Sequence, residues 1–314
     1  ATFSADENQT AIGTVTATDA DNLDTSASTN FVITGSEMSV SSTGVLTFTS
    51  APDYETKTSY TTTITASDDA GNSSSQSITV SINNLNDNDP VFSTGATFSA
   101  DENQTAIGTA AATDADGDSV TFSISGSDLA ITSSGVITFN SAPDYETTTS
   151  YTATITANDG ANSTTQDITV NINNLNDNAP VYTSSATFSA DENQTAIGTV
   201  TATDADGSSF TFSTSSSEIS ITSAGVLTFA TAPNYEVKSS YTATVSVTDG
   251  AFTETQDITV TVNDVNEAPS FTSGTSFALN NGETTITTVA ATDEDGNSLA
   301  YSLSGTDASA MTID

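Results

Sequence analysis

The sequence predicts an all-β fold, a tandem series of two-sheet antiparallel sandwiches, and three observations predict it. The chain repeats itself, its apolar residues alternate with period two, and no stretch carries a helical stripe. The string ADENQTAIGT begins at Ala5, Ala100 and Ala190, 95 and 90 residues apart. A weaker fourth copy, FALNNGETTITTVAATDEDG, begins at Phe277, 89 residues after its counterpart at Phe188. Such self-similarity at a nearly fixed period marks an array of like units. Boundaries are expected at the prolines that close each unit, giving 1–90, 91–180 and 181–269, then the N-terminal part of a fourth unit over 270–314. Half a unit cannot bury a core of its own, so the chain reads as a fragment of something longer.

Within a unit the alternation places the strands. In Tyr151, Ala153, Ile155 and Ala157 the odd positions are apolar and the intervening ones are Thr. Ile168, Val170 and Ile172 alternate with Thr and Asn. Period two means one buried and one wet face, and Thr on the wet face favours extended backbone. Leu46 and Phe48, Ile137 and Phe139, and Leu227 and Phe229 give another core strand, each after a turn glycine (Gly44, Gly135, Gly225). Six or seven short strands in about 90 residues suit a sandwich. A coat of Ser, Thr and Asn then accounts for a hydrophobic fraction of only 35 % without disorder.

Composition removes several functions. There is no Cys, so neither a disulfide framework nor a thiolate metal site, and no His, so no Ser-His-Asp triad. Two basic residues, Lys57 and Lys238, against 40 acids leave a formal charge of −38. A chain without a basic footprint is not built for nucleic acid. No apolar run approaches the length of a membrane span, and no signal-peptide pattern opens the chain.

The acids recur as constellations. Each unit ends in an oxygen-rich linker whose proline forbids a helix: NNLNDNDP at Asn83–Pro90, NNLNDNAP at Asn173–Pro180 and NDVNEAP at Asn263–Pro269. DEN carries Glu7, Glu102 and Glu192; DAD carries Asp19 and Asp21, Asp114 and Asp116, Asp204 and Asp206, with Asp293 and Asp295 as DED. DYE carries Asp53 and Glu55, Asp144 and Glu146, with Asn234 and Glu236 in the third unit; a lone Asp near Gly stands at Asp68, Asp159 and Asp249. In an extended segment residues i and i+2 point the same way, so D-x-D or D-x-E aims two carboxylates at one place. Several such pairs repel one another unless a cation joins them. Calcium, a hard ion taking six to eight oxygens, is the cation these side chains suit.

DEN, DAD, DYE, the lone Asp and LNDNAP together resemble the extracellular cadherin repeat over three whole units and the start of the fourth. The resemblance implies seven-stranded Greek-key (cadherin/immunoglobulin-like) sandwiches in an extended rod, with up to three calcium ions per junction. At junction one–two it implies ligands Glu7, Asp53, Glu55, Asn84, the Leu85 carbonyl, Asn86, Asp87, Asn88, Asp114, Asp116 and Asp159. At junction two–three it implies Glu102, Asp144, Glu146, Asn174, Leu175, Asn176, Asp177, Asn178, Asp204, Asp206 and Asp249. At junction three–four it implies Glu192, Glu236, Asp264, Asn266, Glu267, Asp293 and Asp295. Asn84 and Asn174 depart from the family's linker Asp, Asn234 from the DYE Asp, and Glu267 from the linker Asp of the other units. Asp19, Asp21 and Asp68 would face a unit ahead of this chain.

The functional expectation is a spacer: the calcium-rigidified stalk of a large extracellular, cell-surface or secreted microbial protein serving adhesion. Self-association into a filament or surface layer is the alternative, followed by direct homophilic or glycan adhesion. Catalysis by the paired carboxylates is the weakest reading, since the pairs recur at every seam. Calcium and identical chains or repeats are the expected partners.

Overall fold

The computed structural model describes residues 1–20 and 30–313; Asp21 lies outside the described residues. Two compact units divide the chain, Ala1–Asn174 and Leu175–Asp314. In the first unit, strands β1 (Thr2–Asp6), β2 (Ala11–Thr14), β3 (Asn30–Ile33), β4 (Met38–Val40), β5 (Val45–Phe48), β6 (Ser59–Ser67) and β7 (Ser73–Asn83) form one sandwich. Its sheets run β1-β7-β6-β3 and β2-β5-β4. The next sandwich comprises β8 (Val91–Phe92), β9 (Thr97–Asp101), β10 (Ala106–Thr109), β11 (Ala112–Thr113), β12 (Thr121–Ile124), β13 (Leu129–Ile131), β14 (Val136–Phe139), β15 (Ser150–Asn158) and β16 (Ser163–Asn173). It repeats the two sheets as β12-β15-β16-β9 and β10-β14-β13 and adds a two-stranded ribbon, β11-β8.

The second unit holds β17 (Val181–Tyr182), β18 (Thr187–Asp191), β19 (Ala196–Thr199), β20 (Ala202–Thr203), β21 (Thr211–Thr214), β22 (Ile219–Ile221), β23 (Val226–Phe229), β24 (Ser240–Thr248) and β25 (Thr253–Asn263). The sheets are again β18-β25-β24-β21 and β19-β23-β22, with the ribbon β17-β20. Further on, β26 (Ser270–Phe271) pairs with β27 (Ala291–Thr292). Phe271, Phe277 and Leu279 there are exposed, so this half repeat has no core of its own.

The alternation read from sequence is the packing. Across β15 and β16, Tyr151 faces Val170 and Ala153 faces Ile168; Ile155, Ile168, Val170 and Ile172 lie in the core with Leu129, Ile137 and Phe139. The intervening Thr152 faces Thr169 on the other side. An edge-to-face ring pair recurs in all three sandwiches: Phe48–Tyr60, Phe139–Tyr151 and Phe229–Tyr241, with centroids 4.9, 5.2 and 5.0 Å apart. Such pairs prefer that geometry.

One expectation needs correction. The sandwiches are not wholly antiparallel: β1 pairs with β7, β9 with β16 and β18 with β25 in parallel. A parallel pair needs a long crossover, and here nearly a whole repeat intervenes. No helix among the described residues is long and apolar enough to cross a membrane.

The turn before β14 makes a specific demand. Gly135 has φ +91°, and a Cβ built there would stand 2.2 Å from the Ala110 carbonyl oxygen, whose own N–H donates to Gly135 O at 2.8 Å. Gly126 has φ +92° with open space around it. Both Gly→Ala changes should incur the left-handed backbone cost of roughly 1–2 kcal/mol. Gly135→Ala should lower the melting temperature clearly further than Gly126→Ala, and equal losses by calorimetry would refute the close contact.

Candidate metal centre

Topology builds the site before charge enters. Because β1 and β7 run parallel, they finish at the same end, with Asp6 opposite Asn83. Glu7 follows, its N–H donating to Asn83 O at 3.3 Å, and so lies beside the linker leaving β7. Glu7 is 2 % exposed. Its Oε2 accepts the Tyr54 N–H at 2.7 Å and its Oε1 the Leu85 N–H at 2.8 Å. One buried carboxylate thus ties the 53–56 turn to the linker. Glu192, 3 % exposed, does the same in the second unit, accepting from Tyr235 N–H at 2.8 Å and Val265 N–H at 2.9 Å. Glu102, equally buried, accepts from Tyr145 N–H at 2.7 Å.

Around Glu7 the first seam gathers Glu55, Asp87 and Asp116, one carboxylate oxygen of each lying within 4.8 Å of the others. Asp114, Asp116 and Asp118 form an adjoining group at the same spacing. Asp116 is clamped from the linker: its Oδ2 accepts from Asp87 N–H and Asn88 N–H at 3.0 and 2.9 Å, and its Oδ1 from Asn88 Nδ2 at 2.9 Å. Asn84 Nδ2 donates to Asp116 O at 2.7 Å. Asp159 caps the β15–β16 hairpin, Oδ1 accepting Ala161 and Asn162 N–H at 2.7 Å each. Asn162 Nδ2 then reaches Asn86 Oδ1 at 2.9 Å.

In the second unit the seam after β25 groups Glu192, Glu236 and Asp264, and separately Glu236, Glu267 and Glu294, again within 4.8 Å. Glu267 N–H donates to Asp295 Oδ2 at 2.8 Å. Asn266 Oδ1 accepts from Asn297 Nδ2 at 2.7 Å, and Asp293 Oδ1 from Asn297 N–H at 3.1 Å.

The residues expected at junction two–three fall on both compact units. On the first, besides Glu102, Asp144 accepts from Thr147 Oγ1 at 3.0 Å, and Glu146 and Asn174 are exposed. On the second, Leu175 and Asn176 are exposed. There Asp206 Oδ2 accepts from Asp177 and Asn178 N–H at 3.1 and 2.8 Å, the first seam's clamp over again. Asp204 Oδ1 accepts from Ser208 N–H at 3.2 Å, and Asp249 Oδ1 from Ala251 N–H at 2.8 Å.

Asp53 stands outside the first group. Its oxygens accept from Thr56 N–H and Oγ1 at 3.1 and 3.0 Å. DYE lies in a turn, not a strand, so the same-side rule for i and i+2 fails there. Leu85 faces the group's Glu7 with its N–H. Sequence reasoning missed Asn8, Asn193 and Glu294. Glu294 was legible as the central acid of DED where the other units carry Ala; Asn234 Nδ2 donates to its Oε2 at 2.9 Å.

Burial together with the charges of Glu7 and Asp116 raises the Glu55 carboxyl above its ordinary range. Asp264 is raised by burial and by Asp295 and Glu192, and Glu267 by burial and by Glu192, Asp295 and Glu236. Burial also opposes ionisation of Asp116, but donation from Asn88 and Asp87 outweighs it and holds that carboxyl low.

The residues fit a hard cation. Oxygens bound to one calcium ion at about 2.3–2.6 Å lie at most about 5 Å apart, which the 4.8 Å groups satisfy. Among the described residues, Asp114 Oδ2, Asp159 Oδ2, Asp204 Oδ2, Asp249 Oδ2, Glu267 Oε2 and Asp295 Oδ1 are buried with no hydrogen-bond donor. Bare buried carboxylate oxygens are costly, and a cation supplies what they lack. Glu7, Glu55, Asp87 and Asp116 would hold it in the first seam, and in the second unit Glu192, Glu236 and Asp264, or separately Glu236, Glu267 and Glu294.

Residues 1–83 match the family model for the Cadherin domain. Human Protocadherin-15 is 33 % identical over 189 residues, 54 % of this chain and 10 % of that protein. Mouse Cadherin EGF LAG seven-pass G-type receptor 1 is 29 % identical over 268 residues, 75 % of this chain and 9 % of that protein. Chitinase A of Pseudoalteromonas piscicida is 32 % identical over 171 residues, 54 % of this chain and 21 % of that protein. The chain thus spans only a small part of these relatives' length. The crystal structure of mouse Cadherin-23 EC22-24 superposes with a TM-score of 0.64 at 24 % identity, over 84 % of this chain and 96 % of that one. The Protocadherin GammaB4 extracellular domain gives 0.65 at 22 % identity, over 94 % and 55 %. The fold is that of tandem cadherin-like repeats.

The raised carboxyls set a pH dependence. A carboxyl raised in the folded chain disfavours the cation-free fold above that pKa, and this penalty is relieved as pH falls through it toward the unfolded value. Protons also compete with calcium for the same oxygens. The melting-temperature gap between calcium and chelator should therefore narrow on going from neutral pH to about pH 5, just above the ordinary carboxylate range. A gap independent of pH over that window would contradict the assignment.

Proposed function

We propose that the chain is a calcium-rigidified run of cadherin repeats that serves as a spacer in a large extracellular adhesion protein. The observation that carries this reading is the buried Glu7, joined to turn and linker by two backbone hydrogen bonds and surrounded by Glu55, Asp87 and Asp116. Such a junction is floppy and self-repelling without a cation and stiff with one. The near-identity of the repeats supports a spacer, whose units need only be alike. The scarcity of Lys, the Ser/Thr coat and the likeness to part of a bacterial chitinase suit a microbial surface or secreted protein. The domain division at 1–90, 91–180 and 181–269, with a partial unit from 270, follows from the same seams. Up to three ions per junction would be held by the residues named for each.

The test is a thermal melt combined with small-angle scattering, in calcium and in chelator. Chelator should lower the melting temperature and broaden the distribution of particle dimensions. Asp114→Ala should loosen the first junction and leave the others as they were. Identical melts and identical scattering in the two buffers would rule the reading out.

A further inference from the structure

Each DEN ends in an asparagine whose backbone is left-handed: Asn8, Asn103 and Asn193 all have φ +62°. Glycine meets that conformation at least cost, yet none of the three positions carries it. Each of these asparagines donates its N–H to the proline before the DYE or NYE turn, at 3.0, 2.9 and 3.0 Å to Pro52, Pro143 and Pro233 O. That bond belongs to the backbone and would survive any side chain. The side chains do something separate. Asn8 Nδ2 donates to Asp87 Oδ2, and Asn193 Nδ2 donates to Glu267 Oε1. The contact persists although the linker acid differs by a methylene and the linker of the second unit is one residue shorter.

At Glu267 the two oxygens of the linker acid are thereby divided. Glu267 Oε1 is taken by Asn193, while its Oε2 is buried with no donor and belongs to a residue grouped with Glu236 and Glu294. Asp87 is held through Oδ2 by Asn8, its Oδ1 accepts from Asn88 Nδ2 at 2.9 Å, and it is grouped with Glu7, Glu55 and Asp116. We infer that Asn8 and Asn193 are positioning residues, each pinning one oxygen of the linker carboxylate and so fixing its orientation at the calcium site. This rests on the calcium reading proposed above. Groups that orient a ligand from behind typically change metal affinity by about 10–100-fold when removed.

Asn8→Gly separates this role from that of a backbone turn, because glycine keeps the left-handed conformation and loses only the amide. Hydrogen exchange of the 84–88 linker amides in the full chain, followed as calcium chloride is titrated in, reads the first seam alone. The midpoint for protection should rise about tenfold in Asn8→Gly, while the 264–267 linker keeps its wild-type midpoint. Asn193→Gly should give the reverse. In chelator Asn8→Gly should melt no lower than wild type, and Asn8→Asp, which keeps the shape but adds a like charge, should bind no more tightly than Asn8→Gly. Calcium-dependent protection with equal midpoints in wild type and Asn8→Gly would overturn the positioning role alone. Protection that ignores calcium in the wild type would overturn the calcium reading beneath it.

Discussion

A carboxylate that is almost wholly buried, next to others of its own sign, is the constraint from which the rest of the architecture follows. Burying a charge costs several kcal/mol unless hydrogen bonds and countercharge offset it. Glu7 receives its hydrogen bonds from Tyr54 and Leu85, two backbone groups far apart in sequence. They meet only because the first and last strands of the sandwich run parallel and end in step, Asp6 against Asn83. The parallel pair, an oddity in an otherwise antiparallel sandwich, is thus what brings the glutamate to the linker. Sheet topology, linker path and charge cluster are a single device.

The two seams that lie within single compact units reach similar charge by different means. The acids along the first seam's loops are Glu7, Asp53, Glu55, Asp87, Asp114, Asp116 and Asp159, with Asp53 outside the carboxylate group. The second has Asn234 where the first has Asp53, Asp264 where it has Asn84, and Glu294 where it has Ala115. The acid withdrawn at 234 is returned by Glu294, which the Asn234 amide contacts directly.

Much of this was legible in the sequence. Period two told which face of each strand is buried, as Ile155 and Val170 bear out, and repetition told where the units recur. Period two cannot say which strand lies beside which, so the parallel β1–β7 pairing stayed hidden. The same-side rule for i and i+2 placed Asp53 with Glu55, and it failed because that stretch turns and Thr56 takes the Asp53 oxygens. Asn8 was quoted within DEN but passed over, since nothing in a sequence tells a left-handed asparagine from an extended one. Reach of the Asn8 amide to Asp87 depends on a backbone twist that only coordinates display.

The chain itself has little positive charge to offer its seams. Its only two basic side chains are engaged elsewhere. Lys57 Nζ sits 2.6 Å from Glu37 and 4.1 Å above the Tyr60 ring; Lys238 Nζ sits 2.6 Å from Glu218 and 4.3 Å above Tyr241. Both pairs are exposed enough to contribute little to stability, but they leave no protein cation for the seams. Backbone N–H groups and asparagine amides meet part of the need, at Asp116 and Glu192 for example. They do not reach Asp114 Oδ2, Asp159 Oδ2 or Glu267 Oε2. The positive charge those oxygens lack would be met from solution by an ion that is small and able to accept many oxygens at once. Calcium meets both conditions, whereas a monovalent ion would leave most of the repulsion in place.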